Sequence, residues 1–301
     1  MKNLKFNNDI TLENYDEETN KLITELRSNN IVLSCFKGNG IDLSAIDNNA
    51  WFLKEWLEEV KVCEGCKGLK NCTQKNSGYY PNLVNNTFLE IQYEACKYKR
   101  EDTSKKNHLS NYLINHLPKK METITLEDIE LYGEDTEYGK VYNEVVDKYN
   151  NDEGLYLYGT MGSGKTHLAA SVANEYAKNK KKVCFIHYPT FTSVMASNAF
   201  SDEASLLLER AMRCDFLVLD DIGAESVTEY NRDQVLLPIL NYRYENDKTT
   251  WFTSNMDINK LTEHFTTSSR GTEDELKALR IMERIKHMAT SVLLNTRDRR
   301  D

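Results

Sequence analysis

Residues 155–166 read LYLYGTMGSGKT, and Gly159–Thr166 fit the pattern GxxxxGK[ST]. Nothing else in the chain restricts its fold as tightly. The pattern needs a buried strand, a tight glycine-rich turn and the start of a helix, in that order, so that successive backbone N–H groups wrap an anion. All three parts are present. Leu155, Tyr156, Leu157 and Tyr158 form an apolar run, and KTHLAASVANEYAKN follows with helical spacing. Gly162 and Gly164 let the backbone approach a β-phosphate where a Cβ would crowd it. The cradle is expected from Gly159, Thr160, Met161, Gly162, Ser163 and Gly164, with His167 in the first helical turn at the positive end of the helix. Lys165 is expected on the β- and γ-phosphates and Thr166 on Mg²⁺.

A second apolar run, Phe216 to Leu219, ends in Asp220-Asp221. Asp220 is expected to hold Mg²⁺ opposite Thr166, and Asp221 to polarise the attacking water. An aspartate is one methylene shorter than the glutamate common at such a position, so it must sit closer or act through a second water. A third run, TTWFTSN, delivers Asn255 to the end of a strand expected beside the acidic one, where its amide would orient the water or sense the γ-phosphate. This layout resembles that of the AAA+ ATPases. Arg280 and Arg284 lie four residues apart on a late helical segment and share a face. Arg280 first, and Arg284 second, are candidates to complete a neighbouring copy's site; surface pairing with Glu273, Glu275 or Glu283 is the competing account.

From about Glu122 strands and helices alternate, which implies a parallel sheet sandwiched by helices with the ligand at the carboxyl ends of the strands. Pro238 falls inside one helical segment and argues against an unbroken helix there. Residues 1 to about 60 read as helices, and KYKREDTSKKNHLSNYLINHLPKK reads as a junction. The expected domains are therefore 1–120 and 121–301. No apolar run reaches membrane-spanning length and MKNLKFNNDI lacks the apolar core of a secretory signal, so a cytoplasmic location is expected. A net charge of −9 argues against coating duplex nucleic acid by bulk electrostatics, though not against a local basic path.

Seven cysteines in a reducing compartment suggest a metal before disulfides. Cys63 and Cys66 are spaced CxxC, with Cys72 and Cys96 beyond. Four thiolates would close a tetrahedral Zn²⁺ site that supports a small module. The second half is irregular, and His108 is the nearest substitute ligand. Trp51, Phe52, Trp56 and Leu57 form either a docking face or, by ordinary burial, the module's own core.

With GTMGSGKTHLAASVANE, FLVLDDIGAES, WFTSN and RIMERIK in hand, residues 122–301 resemble the bacterial replicative helicase loaders, the DnaI/DnaC family of AAA+ ATPases. The transposition helper ATPases of the IstB type are similar in the same core and are the alternative. The cysteine-bearing N-terminal part favours the loaders of the DnaI kind. The resemblance implies weak ATP hydrolysis stimulated by single-stranded DNA, docking of the N-terminal module on a hexameric helicase during primosome assembly, and self-association through the ATPase domain. It implies no C-terminal lid, so that a second sensor arginine would come from Arg297, Arg299 or Arg300. Single-strand contacts are expected in the helices of residues 190–213, from Phe191, Phe200 and Arg213.

Overall fold

The computed structural model describes residues 12–131, 136–199, 201–266, 275–296 and 298. The chain divides into two compact units, 1–104 and 105–301.

In the first unit, helices α1 (Leu12–Ser28), α2 (Asn30–Asn39), α3 (Ala45–Asn48) and α4 (Ala50–Lys61) precede an antiparallel hairpin, β1 (Tyr79–Asn85) and β2 (Leu89–Ala95). Asn29 starts α2 by accepting from the N–H groups of Ile31 and Val32, and Gly40 ends it at φ 64°. Leu26, Val32, Phe36, Leu53, Trp56 and Leu83 make the core. Trp56 is wholly buried, and its indole N–H donates to Pro81 O at 2.9 Å, tying the hairpin to α4. Leu57 is also core, while Trp51 and Phe52 pack half-buried against it. The polar helix α5 (Lys97–Lys106) follows.

The second unit is an α/β fold. Its strands are β3 (Tyr112–Asn115), β4 (Leu155–Tyr158), β5 (Val183–His187), β6 (Phe216–Asp220), β7 (Thr250–Ser254) and β8 (Thr290–Leu293). They form one sheet in the order β3-β5-β6-β7-β4-β8, every neighbouring pair parallel. β6 and β7 are buried along their whole length, and β5 up to His187, as expected when helices cover both faces. On one face lie α6 (Thr136–Asn150) and α7 (Lys165–Lys178), packed through Tyr138, Val145, Leu168 and Val172. On the other lie α8 (Tyr188–Ser197), α9 (Asp202–Arg213), α10 (Leu237–Glu245), α11 (Ile258–Thr266) and α12 (Glu275–Met288), packed through Phe191, Ile239, Leu261 and Ile281. A π-helical turn at Tyr230–Leu236 leads into α10, so Pro238 falls in a first turn, where its missing N–H is not needed.

The division of units lies ahead of the expected 120/121 junction, for a structural reason. Residues 112–115, read as part of a junction, are instead the edge strand paired with β5. The segment before and after that strand is fastened to α7 by Asn174. The Asn174 amide donates to the carbonyls of Met121 and Ile124 at 2.9 and 2.8 Å, and its oxygen accepts from Tyr112 at 2.7 Å. Among the described residues no helix is long and apolar enough to cross a membrane.

Candidate nucleotide site

Lys165 opens α7 and turns back into the loop that precedes it. Its ammonium donates to Gly159 O at 3.1 Å, Thr160 O at 2.8 Å and Asn255 Oδ1 at 2.9 Å. The other end of the Asn255 amide donates to Asp221 Oδ1 at 3.0 Å. Asn255 thus joins the phosphate-loop lysine to the second acid of the Asp220-Asp221 pair, through one amide that faces a cation and a carboxylate at once. The strand order explains this reach. β7 lies between β6 and β4, so its carboxyl end stands between the acids and the glycine-rich loop.

Thr166 donates its hydroxyl to Asp220 Oδ1 at 2.8 Å. Burial pushes the Asp220 carboxyl above its ordinary value, opposed by hydrogen bonds from Thr253 and Thr166. Burial likewise lowers the Lys165 ammonium, against the pull of Asp221 and Asp220. Each charge is therefore costly where it stands, and a cation beside Asp220 or an anion beside Lys165 offsets that cost. Gly164 has φ 100°, and Gly159 faces the Leu294 carbonyl where a Cβ would lie, so the loop is pinned against the chain just beyond β8.

A cavity of about 890 Å³ opens at this point. Met161, Gly162, Gly164, Lys165, Thr166 and His167 line it with Asp220, Asp221 and Asn255, and Pro118, Met121, Ile129 and Tyr138 join the lining together with charged Lys120, Asp128 and Glu130. Phosphate-loop residues and apolar side chains such as Met121, Ile129 and Tyr138 in one cavity suit a nucleotide's phosphates and base. Ser163 is fully buried beneath the loop. Pro118 and Lys120, at the end of the segment read from sequence as a junction, belong to this wall, as do Met121, Asp128, Ile129 and Glu130. His187, opposite Asp220 in the β5–β6 register, also lines the cavity.

The remaining candidates are dispersed. Arg280 is exposed on α12 and is not among the residues lining its own chain's cavity. Arg284 is engaged with α10, donating to Asn241 Oδ1 at 3.2 Å and lying 4.5 Å from the Tyr244 ring centre. Phe191 is a correction: it is 1 % exposed in the core and presents no face to a DNA base. Arg213 is exposed and pairs with Glu209 at 3.1 Å. Phe200, Arg297, Arg299 and Arg300 lie outside the described residues.

The four cysteines are linked through one corner of the first unit. Gln74 donates to Cys63 Sγ at 3.2 Å, Gly78 N–H donates to Cys72 Sγ at 3.4 Å, and Cys96 N–H donates to Gly78 O at 2.9 Å. Tyr98 donates to Cys66 O at 3.0 Å. The Gly78 N–H holds the Cys72 thiol below its usual range. Soft donors of this kind suit Zn²⁺, yet among the described residues no three His, Cys, Asp or Glu side chains gather closely enough to hold a metal ion. His108 is not with them. It lies in the second unit, buried, with Nε2 2.9 Å from Glu122 O and 3.2 Å from Asn174 Oδ1. Two acceptors at one nitrogen make it an N–H donor and leave it a structural role.

Comparison with known proteins agrees with this geometry. A family model described as IstB-like ATP binding protein matches residues 80–300. The replicative helicase loader DnaI of Bacillus subtilis strain 168 is 32% identical over 269 residues, which cover 86% of this chain and 85% of that protein. A crystal structure of DnaI superposes with a TM-score of 0.55 at 31% identity, covering 65% of this chain and 100% of that one. A putative primosome component from Streptococcus pyogenes serotype M3 gives 0.51 at 29% identity, covering 64% and 97%.

Proposed function

The chain belongs to the IstB-like ATP binding protein family, with the DnaI/DnaC helicase loaders of the AAA+ class, and from that membership we propose that it loads the replicative DNA helicase onto single-stranded DNA during primosome assembly, using ATP. The observation that carries this reading is the reach of the likeness. An alignment of 269 residues is longer than residues 105–301, so it takes in part of the N-terminal unit, the part in which a loader would differ from a transposition ATPase on the same core.

The hydrolytic step follows from the residues at the cavity. Thr166 and Asp220 offer hard oxygen donors 2.8 Å apart that would hold Mg²⁺, and the ion would supply positive charge to neutralise the phosphates. Lys165 exchanges the carbonyls of Gly159 and Thr160 for the β- and γ-phosphates. Asp221 takes the proton of the attacking water and Asn255 holds that water in line, so the phosphoryl group passes directly to it.

Self-association supplies the last cation: Arg280, exposed on α12, reaches the γ-phosphate held by the neighbouring copy. Exposed Arg213 contributes to the path of a single strand, whose binding stimulates a weak ATPase. The first unit docks on the hexameric helicase; its CxxC spacing, and not the placement of its thiols, carries the proposal that Zn²⁺ would draw Cys63, Cys66, Cys72 and Cys96 together there, and a cytoplasmic location fits these partners. The family model's IstB name favours one other reading, a transposition helper acting on duplex DNA with a transposase. Light scattering of the full chain with the replicative helicase of its own organism separates the two. A stoichiometric complex is expected; no complex with any nucleotide, together with ATPase activity stimulated by duplex alone, would select the transposition reading.

A further inference from the structure

Thr253 is the penultimate residue of β7 and is 2 % exposed. Its one hydroxyl is used in both directions. It donates to Asp220 Oδ1 at 2.7 Å and accepts from the backbone N–H of Asp221 at 2.9 Å. Its carbonyl accepts from Ile222 N–H at 2.9 Å, and the neighbouring Ser254 hydroxyl donates to Ile222 O at 2.6 Å. The end of β7 therefore grips three consecutive residues at the point where β6 stops being a strand.

The grip matters because of the shape that it holds. Asp221 sits at φ 59°, in the left-handed region that residues with a Cβ visit sparsely and that persists only where the surroundings over-determine it. A buried threonine that merely satisfies itself would need only a nearby carbonyl, such as one in its own element. Here both partners belong to the acidic pair, one a carboxylate and the other the amide of the strained residue.

We infer that Thr253 is a positioning residue for ATP hydrolysis: its hydroxyl locks Asp221 in the left-handed conformation and fixes the carboxylate of Asp220, so the two acids keep a set relation to each other and to Asn255. The inference rests on the ATPase reading given above. It assigns the hydroxyl to the hydrolytic step and not to nucleotide affinity, which comes from the loop and Lys165.

The test compares hydroxyl with methyl at nearly constant size. Thr253→Val is expected to lower kcat about 10²-fold, as for a small misplacement of a catalytic group, with the KM for ATP and the affinity for ADP changed less than about threefold. Thr253→Ser, which keeps the hydroxyl, is expected to retain most of the wild-type kcat. Thr253→Ala makes the same comparison with Thr253→Ser should the valine variant not fold. Wild-type kcat in a variant lacking the hydroxyl would overturn the inference, as would a serine variant as impaired as valine, or a loss seen in ADP affinity and not in kcat. An absence of ATP hydrolysis by the wild-type chain would instead bring down the ATPase reading itself, and this inference with it.

Discussion

Asp221 carries the shortest acid that could serve as a base at this site, and it does so from a left-handed backbone with Asn255 hydrogen-bonded to its carboxylate at 3.0 Å. Replacing it by asparagine keeps the size and removes the base. Asp221→Asn is expected to lower kcat by about 10²–10⁴-fold, the range of a positioned general base, and to leave ADP affinity near the wild-type value; unchanged turnover in a steady-state ATPase assay would remove Asp221 from the proton transfer. Sequence made the phosphate-loop residues, Asp220 and Asp221 legible because their chemistry fixes both residue type and spacing. It did not reveal Thr253 or His187. Which atoms a strand end meets depends on the register of β5, β6 and β7, and register is a long-range property. Phe191 was misread for a related reason: an aromatic residue on a helix is exposed or buried according to which face meets the sheet.

At the scale of elements, α12 is fastened near its start by Lys277, which donates to Asp233 Oδ2 at 2.6 Å in the π-helical turn. Arg232, its side chain 1% exposed, holds the same carboxylate at 2.7 and 3.2 Å. Burial pushes the Asp233 carboxyl up, but Arg232 and Lys277 outweigh it and hold it below its ordinary value. A depressed carboxylate stabilises the fold above its unfolded pKa, and that stabilisation fades as pH falls through the folded value. Asp233→Asn, which takes this carboxylate away from a buried guanidinium, is expected to cost about 2 kcal/mol at neutral pH. The gap from wild type should close in acid; a gap as large at acidic as at neutral pH in melting curves would contradict the pairing. The same helix presents Arg280, so mixing Arg280→Ala with Lys165→Ala subunits, each inactive alone, is expected to restore hydrolysis at sites that pair an intact phosphate loop with an intact Arg280, and no recovery in the mixture would exclude a shared site. β4, β6 and β7 were readable as apolar runs. β3 was not, because four residues amid charged sequence carry little periodic signal, and its place comes from pairing with β5.

Across the whole molecule, the helical first unit and the α/β second unit were legible in outline, and the division at 104/105 falls inside the segment 97–120 read as a junction, ahead of its expected end because segment 107–129 joins the second unit through side chains of α7 such as Asn174. The cysteine spacing suggested a metal, but among the described residues no side chains are gathered to hold one; if Zn²⁺ draws the four thiolates together, dialysed protein retains about one Zn²⁺ per chain, and substantially less would remove the structural site. The account's central claim is that ATP binding in the second unit serves delivery of a helicase to single-stranded DNA. It is tested most directly by incubating the full chain and the cognate replicative helicase with circular single-stranded DNA and ATP, then measuring helicase retained on the circles after gel filtration. The account predicts retention with the wild-type chain and its loss with Lys165→Ala; equal retention with no chain, or with Lys165→Ala, would contradict it.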